Sequence, residues 1–127
     1  MLKTKDLYVG DYDDLNILQG LDVEAPTGKI TAILGANGVG KSTLLKAIYG
    51  FLKPNAGEIW LDDKRVDNIP THELITLGLA YIPQHTGIFK WMTVKENIEL
   101  GGWTFRKDKE RLQQKVEENY ERFPILK

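Results

Sequence analysis

Cysteine is absent from the 127 residues. Disulfide bonds, thiolate zinc sites and a cysteine nucleophile are therefore all excluded. An excess of charge of one sign is also missing, because 17 basic residues stand against 18 acidic ones and leave a formal net charge of −1. This balance gives no electrostatic basis for binding nucleic acid or an anionic membrane surface. We expect no nucleic-acid partner.

Long apolar runs are missing as well. Residues 1–6 lack the apolar core of a secretory signal. No uncharged apolar run reaches the length of about 18 residues that a transmembrane helix needs. We therefore expect no direct membrane insertion, so any membrane association has to go through a partner. The hydrophobic fraction of 42% and the charged fraction of 28% are ordinary for a globular protein.

Apolar periodicity predicts an α/β domain with additions. Strands are predicted at 6–9, 15–18, 21–24, 29–34, 58–61 and 79–82. The runs 29–34 and 79–82 are almost continuously apolar, which is typical of strands buried on both faces. Helices are predicted from the residues after Gly40 to Gly50, over 71–77, from a Thr93–Glu96 capping box to about Gly101, and over 107–123. In the last helix a packing stripe is predicted for Leu112, Val116, Tyr120 and Phe123.

Residues 35–42 match the phosphate-binding loop pattern G-x-x-x-x-G-K-[ST]. Glycines allow the chain reversals that point several backbone N–H groups at one phosphate, and the following helix adds its unpaired N–H groups. A lysine adds positive charge for the β- and γ-phosphates, and a serine hydroxyl is a hard oxygen ligand for Mg²⁺. The predicted phosphate contacts are Gly35, Ala36, Asn37, Gly38, Val39, Gly40, Lys41, Ser42 and Thr43, with Ser42 also a metal ligand.

A glycine-rich structural turn with a surface lysine is the alternative interpretation of this motif. The motif follows a predicted buried strand and opens a predicted helix, which is the setting that phosphate binding requires. We therefore prefer the functional interpretation.

Further segments resemble the ATP-binding subunits of ABC transporters along essentially the whole chain. They are Leu-Tyr-Val-Gly-Asp-Tyr at 7–12, Leu-Gln-Gly-Leu-Asp-Val at 18–23, the loop and helix at 37–45, and the segments 53–59, 81–84 and 89–100. The resemblance implies a P-loop NTPase core at 29–92, an antiparallel β subdomain at 1–28 and the start of a helical subdomain at 93–127. Ile88-Phe89, Met92-Thr93-Val94, Gly101 and Arg122-Phe123-Pro124 are most similar to branched-chain amino acid importers.

The resemblance also implies a ligand and further site residues. The ligand is ATP with Mg²⁺, and Tyr12 stacks on the adenine ring, whereas Tyr8 falls in an alternating strand pattern and is the better core candidate. Gln84 is implied as a catalytic residue beside Lys41 and as a second metal ligand. Nothing in the sequence orients His85, which is expected to be a solvated loop residue.

Partners and location follow from the same resemblance. Transmembrane permease subunits and a second ATPase subunit, arranged head to tail, are the implied partners, on the cytoplasmic inner face of the cell membrane. The segment 84–97 is expected to couple the nucleotide site to the membrane subunits, because Ile88, Phe89, Trp91 and Met92 form an apolar stretch there.

Several elements of that family have no counterpart in the sequence. There is no Leu-Ser-Gly-Gly signature, and the Walker B and switch elements that follow it are also missing. Residues 58–63 imitate a Walker B strand but are expected to form a peripheral hairpin. The chain is therefore expected to be truncated within or before the helical subdomain's signature, to bind nucleotide without hydrolysing it, and to self-associate through sheet edges.

Two alternatives remain open. One is a truncated nucleotide-binding module that does not hydrolyse ATP. The other is a P-loop kinase of small molecules, which would be favoured by an acceptor-binding lid rich in arginine. The four arginines lie apart in the sequence: Arg65, Arg106, Arg111 and Arg122.

Overall fold

The computed structural model describes residues 1–12, 15–85 and 87–127, without the side chains of Asp11 and Tyr12. The chain divides into two compact units, residues 1–81 and 82–127, which are described separately.

A four-stranded antiparallel sheet forms the first unit's framework. Its strands are β1 (Leu2–Tyr12), β2 (Leu15–Ala25), β3 (Ala56–Leu61) and β4 (Lys64–Arg65), in the order β2-β1-β3-β4. The predicted strands at 15–18 and 21–24 are parts of one strand, β2. Gly20 lies between them with a φ of 66°, and the pairing register of β1 with β2 shifts in the same region. A glycine in this conformation bends a strand without ending it.

Helix α1 (Lys41–Ile48) packs against this sheet. The core brings together Leu44 and Ala47 from α1 with Leu7, Val9 and Ile59 from the sheet, all of them 2% exposed or less. Tyr8 was expected in the core, and that expectation is wrong. Successive side chains of a strand point to opposite faces, and burial of Leu7 and Val9 leaves the half-buried Tyr8 on the other face.

The Walker B imitation at 58–63 is confirmed as a hairpin at the edge of the sheet. Strand β3 pairs with β1 on one side and with the two-residue β4 on the other. Asp62 makes the turn between them with a φ of 52°, a left-handed conformation that Asp tolerates better than most residues.

Helix α2 (Thr71–Leu74) continues into a 3₁₀ turn at Ile75–Leu77 and ends at Gly78, whose φ is 91°. Gly50, two residues after α1, has a φ of 76°. Both glycines confirm the helix ends predicted from sequence, because left-handed backbone after a helix is cheapest for glycine.

The predicted strands at 29–34 and 79–82 are not formed. Ile30 is 101% exposed, Leu34 90% and Ile82 90%. A strand needs a neighbour to accept and donate its backbone hydrogen bonds. Within residues 1–12, 15–85 and 87–127, every paired strand belongs to the antiparallel sheet described above. The apolar pattern at these two segments is therefore that of buried strands, but the described part of the chain provides no strand to cover it.

The second unit is helical. It contains α3 (Val94–Gly101), a 3₁₀ turn at Trp103–Phe105, α4 (Lys109–Arg122) and a 3₁₀ turn at Pro124–Leu126. Of the predicted stripe on α4, Val116 is buried at 1% exposure and Leu112 and Tyr120 are half-buried. Phe123 is 51% exposed, so the stripe ends before it. No helix in the described ranges combines the length and the apolar content needed to cross a bilayer.

An ion pair between Arg65 and Asp67 stabilises the β3–β4 hairpin. Burial alone would raise the pKa of Asp67, but hydrogen bonds from Arg65 (Nε to Oδ1, 2.8 Å) and from the Ile59 N–H (3.1 Å) lower it. Because the folded pKa lies below the unfolded one, this contribution to stability is complete above the unfolded pKa and is lost as the pH falls through the folded pKa.

We expect Asp67→Asn to lower the free energy of unfolding by about 1–2 kcal/mol at pH 7, from loss of the charged contacts. The difference between wild type and variant should begin to shrink below about pH 4, the ordinary pKa of the unfolded carboxyl, and should vanish below the lowered pKa of the folded one. Urea titrations at both pH values measure this, with Asp63→Asn in the exposed turn as a control. A difference that is independent of pH would contradict the ion-pair explanation.

Candidate functional site

The loop at 35–40 reaches helix α1 through left-handed glycines. Gly38 has a φ of 81°, and Gly40, the residue that precedes the helix, has a φ of 102°. Gly40 is also buried against strand β2, where an added Cβ would lie 2.7 Å from Leu18 Cδ2. Backbone conformation and close packing therefore both require glycine at position 40.

The first turn of α1 presents unused backbone donors. The helix has no side-chain cap and no acidic residue in its first turn. The N–H groups of Lys41, Ser42 and Thr43 have no acceptor within the helix, because its first intrahelical bond runs from Leu44 N–H to Gly40 O at 2.9 Å. Three N–H groups at the positive end of the helix dipole form a site suited to an anion.

Lys41 lies next to the loop that precedes it. Its Nζ donates hydrogen bonds to Gly35 O at 2.8 Å and to Ala36 O at 2.6 Å. An ammonium group has three hydrogens, so these contacts leave one donor for a ligand. The structure thus brings the ammonium group, the loop backbone and the helix start together, as the motif predicts for a phosphate site.

A pocket of about 290 Å³ lies beside this loop. Residues of α1 and the loop form one side, and strand β2 forms another with Ile17, Leu18 and Leu21. Sequence reasoning assigned no site role to these three residues. Their apolar alternation in β2 indicated only a packed strand, although Ile17 is 41% exposed. The pocket gives the phosphate site an apolar neighbour on the β2 side.

The other predicted site residues are placed as follows. The Ser42 side chain is exposed at the helix start, which fits a ligand of a phosphate-bound Mg²⁺. Tyr12 ends strand β1, where its backbone pairs with Leu15, but its side chain is outside the described residues. Gln84 is exposed at a bend in the second unit, next to the exposed His85. The metal and catalytic roles of Ser42 and Gln84, and the stacking role of Tyr12, stay predictions.

A second candidate site is an apolar groove in the second unit. It has a volume of about 450 Å³ and is lined by Gly87, Ile88, Phe89, Lys90, Met92, Val94, Asn97, Ile98 and Leu126. Around it Ile88 is 69% exposed, Phe89 62% and Trp91 99%. Exposed large apolar side chains grouped in this way indicate an interaction surface.

The segment before α3 ends in the predicted capping box, which the structure confirms. Glu96 N–H donates to Thr93 Oγ1 at 3.2 Å, and Thr93 N–H and Oγ1–H donate to Glu96 Oε2 at 2.7 and 2.8 Å. Two hydrogen bonds from Thr93 lower the pKa of the Glu96 carboxyl below its usual range. The bond from the Thr93 N–H has the larger effect, and the bond from its hydroxyl the smaller. The helix therefore starts at a fixed residue.

The antiparallel sheet, the glycine loop and the helix that follows it define a P-loop nucleotide-binding fold. A family model described as ABC transporter matches residues 18–127. The chain belongs to the ABC transporter family, and its fold is that of the family's ATPase cassettes.

Individual relatives agree with this assignment. The chain is 37% identical over 127 residues to the probable branched-chain amino acid transport ATP-binding protein LivF of Archaeoglobus fulgidus, covering 100% of this chain and 52% of that protein. It is 42% identical over 90 residues to the ribose import ATP-binding protein RbsA 1 of Agrobacterium fabrum, covering 71% of this chain and 18% of that protein. A crystal structure of a nucleotide-free ATP-binding cassette from an ABC transporter aligns with a TM-score of 0.65 at 34% identity, covering 80% of this chain and 40% of that one. The chain spans about half the length, or less, of the proteins it matches.

We expect Lys41→Ala to weaken Mg·ATP binding by roughly tenfold or more, because a charge-assisted contact to phosphate is worth about 1.5–3 kcal/mol. Lys46→Ala, on an exposed position in the last turn of the same helix, is the matched control and should bind like wild type. Calorimetry measures both, with circular dichroism to verify folding. Equal affinity for folded Lys41→Ala and wild type would contradict the site.

Proposed function

We propose that this chain is the nucleotide-binding portion of the ATP-binding subunit of an ABC importer, which couples ATP binding and hydrolysis to transport across a membrane. The observation that supports the proposal most directly is the loop geometry. Left-handed Gly38 and Gly40 lead into an uncapped helix start, and Lys41 lies at the loop beside it.

In this proposal each part of the loop has a separate task in holding Mg·ATP. The backbone N–H groups at the helix start bind phosphate oxygens, and Lys41 adds positive charge at the β- and γ-phosphates. Ser42 and Gln84 contribute oxygen ligands to Mg²⁺, which neutralises charge that develops during phosphoryl transfer. Tyr12 stacks on the adenine ring, a contact that needs only an aromatic face.

Hydrolysis needs an attacking water aimed in line with the leaving group. Lys41 and Ser42 position phosphate and metal, which is one part of that requirement. In the proposed transporter, the groups that aim the water are supplied by the Walker B and switch elements of the family. A second ATPase subunit completes each nucleotide site from the other side in a head-to-tail dimer.

Branched-chain amino acids are the proposed cargo. The relative that supports this cargo is the probable LivF protein. Its alignment covers all 127 residues of this chain. The ribose import relative has a slightly higher identity over a shorter stretch. We give more weight to the match that extends over all 127 residues than to the one that extends over 90.

The groove at 87–98 is the proposed contact with the transmembrane subunits. Its lining is apolar except for Lys90 and Asn97, and large apolar side chains around it are exposed. A subunit with such a surface is expected to bind a membrane-embedded partner on the cytoplasmic side and so to be peripheral on the inner face of the cell membrane.

Uptake by proteoliposomes that contain the reconstituted transporter identifies the cargo. Proteoliposomes that contain the assembled transporter should accumulate radiolabelled leucine, isoleucine or valine in the presence of ATP, and not ribose. Lys41→Ala should abolish uptake. Preferential uptake of ribose would contradict the proposed cargo, but it would not contradict the proposed nucleotide site.

Cross-linking measures the partner contact. Single cysteines at 88, 89 or 91 in the assembled transporter should form cross-links to a transmembrane subunit, because these positions are exposed around the groove. Cysteines at Gln113 and Gln114, exposed on α4, are controls and should not. The absence of cross-links at all three groove positions in a transporter with normal uptake would show that the groove is not the contact.

A further inference from the structure

One side chain, Asn97, contacts both ends of the turn that carries the exposed apolar residues. Its Oδ1 accepts the Phe89 N–H at 2.7 Å, and its Nδ2 donates to Phe89 O at 3.0 Å. The same Nδ2 donates to Met92 O at 3.2 Å and to Thr93 O at 2.9 Å. The turn is closed by a further bond from Met92 N–H to Phe89 O at 3.1 Å. A single amide group therefore fixes the backbone from residue 89 to residue 93.

These contacts use chemistry that only an amide side chain provides. An Asn side chain offers an acceptor and two donor hydrogens on adjacent atoms, and here the two hydrogens are shared among three carbonyls. An aspartate of the same shape would keep the acceptor but place a second anionic oxygen against those carbonyls. The requirement is thus for an amide at position 97, and not only for a polar residue of that size.

The helix itself does not need Asn97. Helix α3 already begins with the Thr93–Glu96 capping box, which satisfies its first donors. Asparagine is also a poor helix former, because its side chain competes for backbone groups. Its position in the first turn of α3 is therefore explained by its contacts to the preceding turn.

That turn carries the surface at which a partner is expected to bind. Ile88, Phe89 and Trp91 are exposed, while Met92 and Asn97 line the groove of about 450 Å³. Among the lining residues that the structure describes, Lys90 is the one with a charged side chain. An apolar segment that carries an acidic group complements this lining, and a transmembrane subunit of the proposed transporter is the partner that the family assignment suggests.

We propose that Asn97 is a positioning residue that holds residues 89–93 in the shape that receives an apolar segment of the transmembrane subunit. The inference rests on the proposed function for the identity of the partner. A turn that is fixed before binding loses little conformational entropy when the partner docks. Without the amide, the turn becomes ordered only on docking. The affinity for the transmembrane subunit then falls, because the conformational entropy of the turn is lost on binding.

The test compares wild type, Asn97→Ala and Asn97→Asp in the full-length ATPase subunit. Docking to the transmembrane subunits in nanodiscs is measured by calorimetry at several temperatures, and Mg·ATP affinity is measured separately. Asn119→Ala and Asn119→Asp are the matched controls. Asn119 lies on α4 in the same unit, and its Nδ2 donates to Lys115 O at 2.8 Å within its own helix.

We expect both Asn97 variants to dock about tenfold or more weakly, since several hydrogen bonds to the turn are lost. The loss should be mainly entropic, because the turn of the variants has to be ordered on docking. Mg·ATP affinity should not change. In amide hydrogen exchange, Phe89 and Met92 should lose protection while the amides of α3 keep theirs. The Asn119 variants should dock like wild type.

Each other outcome has a distinct meaning. Wild-type protein that does not dock at all contradicts the proposed partner, and this inference with it. Wild type that docks, with Asn97 variants that dock equally well, contradicts only the positioning role. If both Asn97 variants lose exchange protection throughout α3, Asn97 is a structural residue of the helix and the inference is wrong.

Discussion

The packing of helix α1 against the antiparallel sheet is the constraint on which the phosphate loop depends. Leu44 and Ala47 are almost fully buried against the sheet, and at the start of the same helix a Cβ added at Gly40 would lie 2.7 Å from Leu18 Cδ2. Closely packed contacts of this kind do not slide by small amounts. The direction of the N–H groups at the helix start is therefore set by the sheet, although the sheet contributes none of those donors.

Features governed by neighbouring residues could be predicted from sequence. The left-handed Gly50 after α1, the capping box at Thr93 and the helix end at Gly78 each depend on a few residues along the chain, and the structure has all three. The phosphate loop belongs to the same class, because its motif specifies backbone conformation directly. The short apolar run and the turn residues at 58–63 distinguished this peripheral hairpin from a true Walker B strand.

Features governed by distant residues could not be predicted in the same way. The apolar run at 29–34 predicted a strand buried on both faces, but pairing depends on strands elsewhere, and the described residues contain none for it. The alternation around Tyr8 fits either face of the sheet, and only the position of α1 selects Leu7 and Val9 for the core. The contacts of Asn97 were also hidden, because an asparagine inside a helical pattern carries no signal of the carbonyls it meets.

The exposed turn at 88–91 has a consequence for how such a subunit is handled in a cell. Ile88, Phe89 and Trp91 are exposed, and apolar surfaces of this kind are recognised by chaperones and proteases or lead to aggregation unless a partner covers them. Under the proposed function, in which a transmembrane subunit covers these side chains, a subunit made in excess of that partner is removed rather than stored. In the proposed transporter, three uncovered side chains then help to set the stoichiometry of the complex.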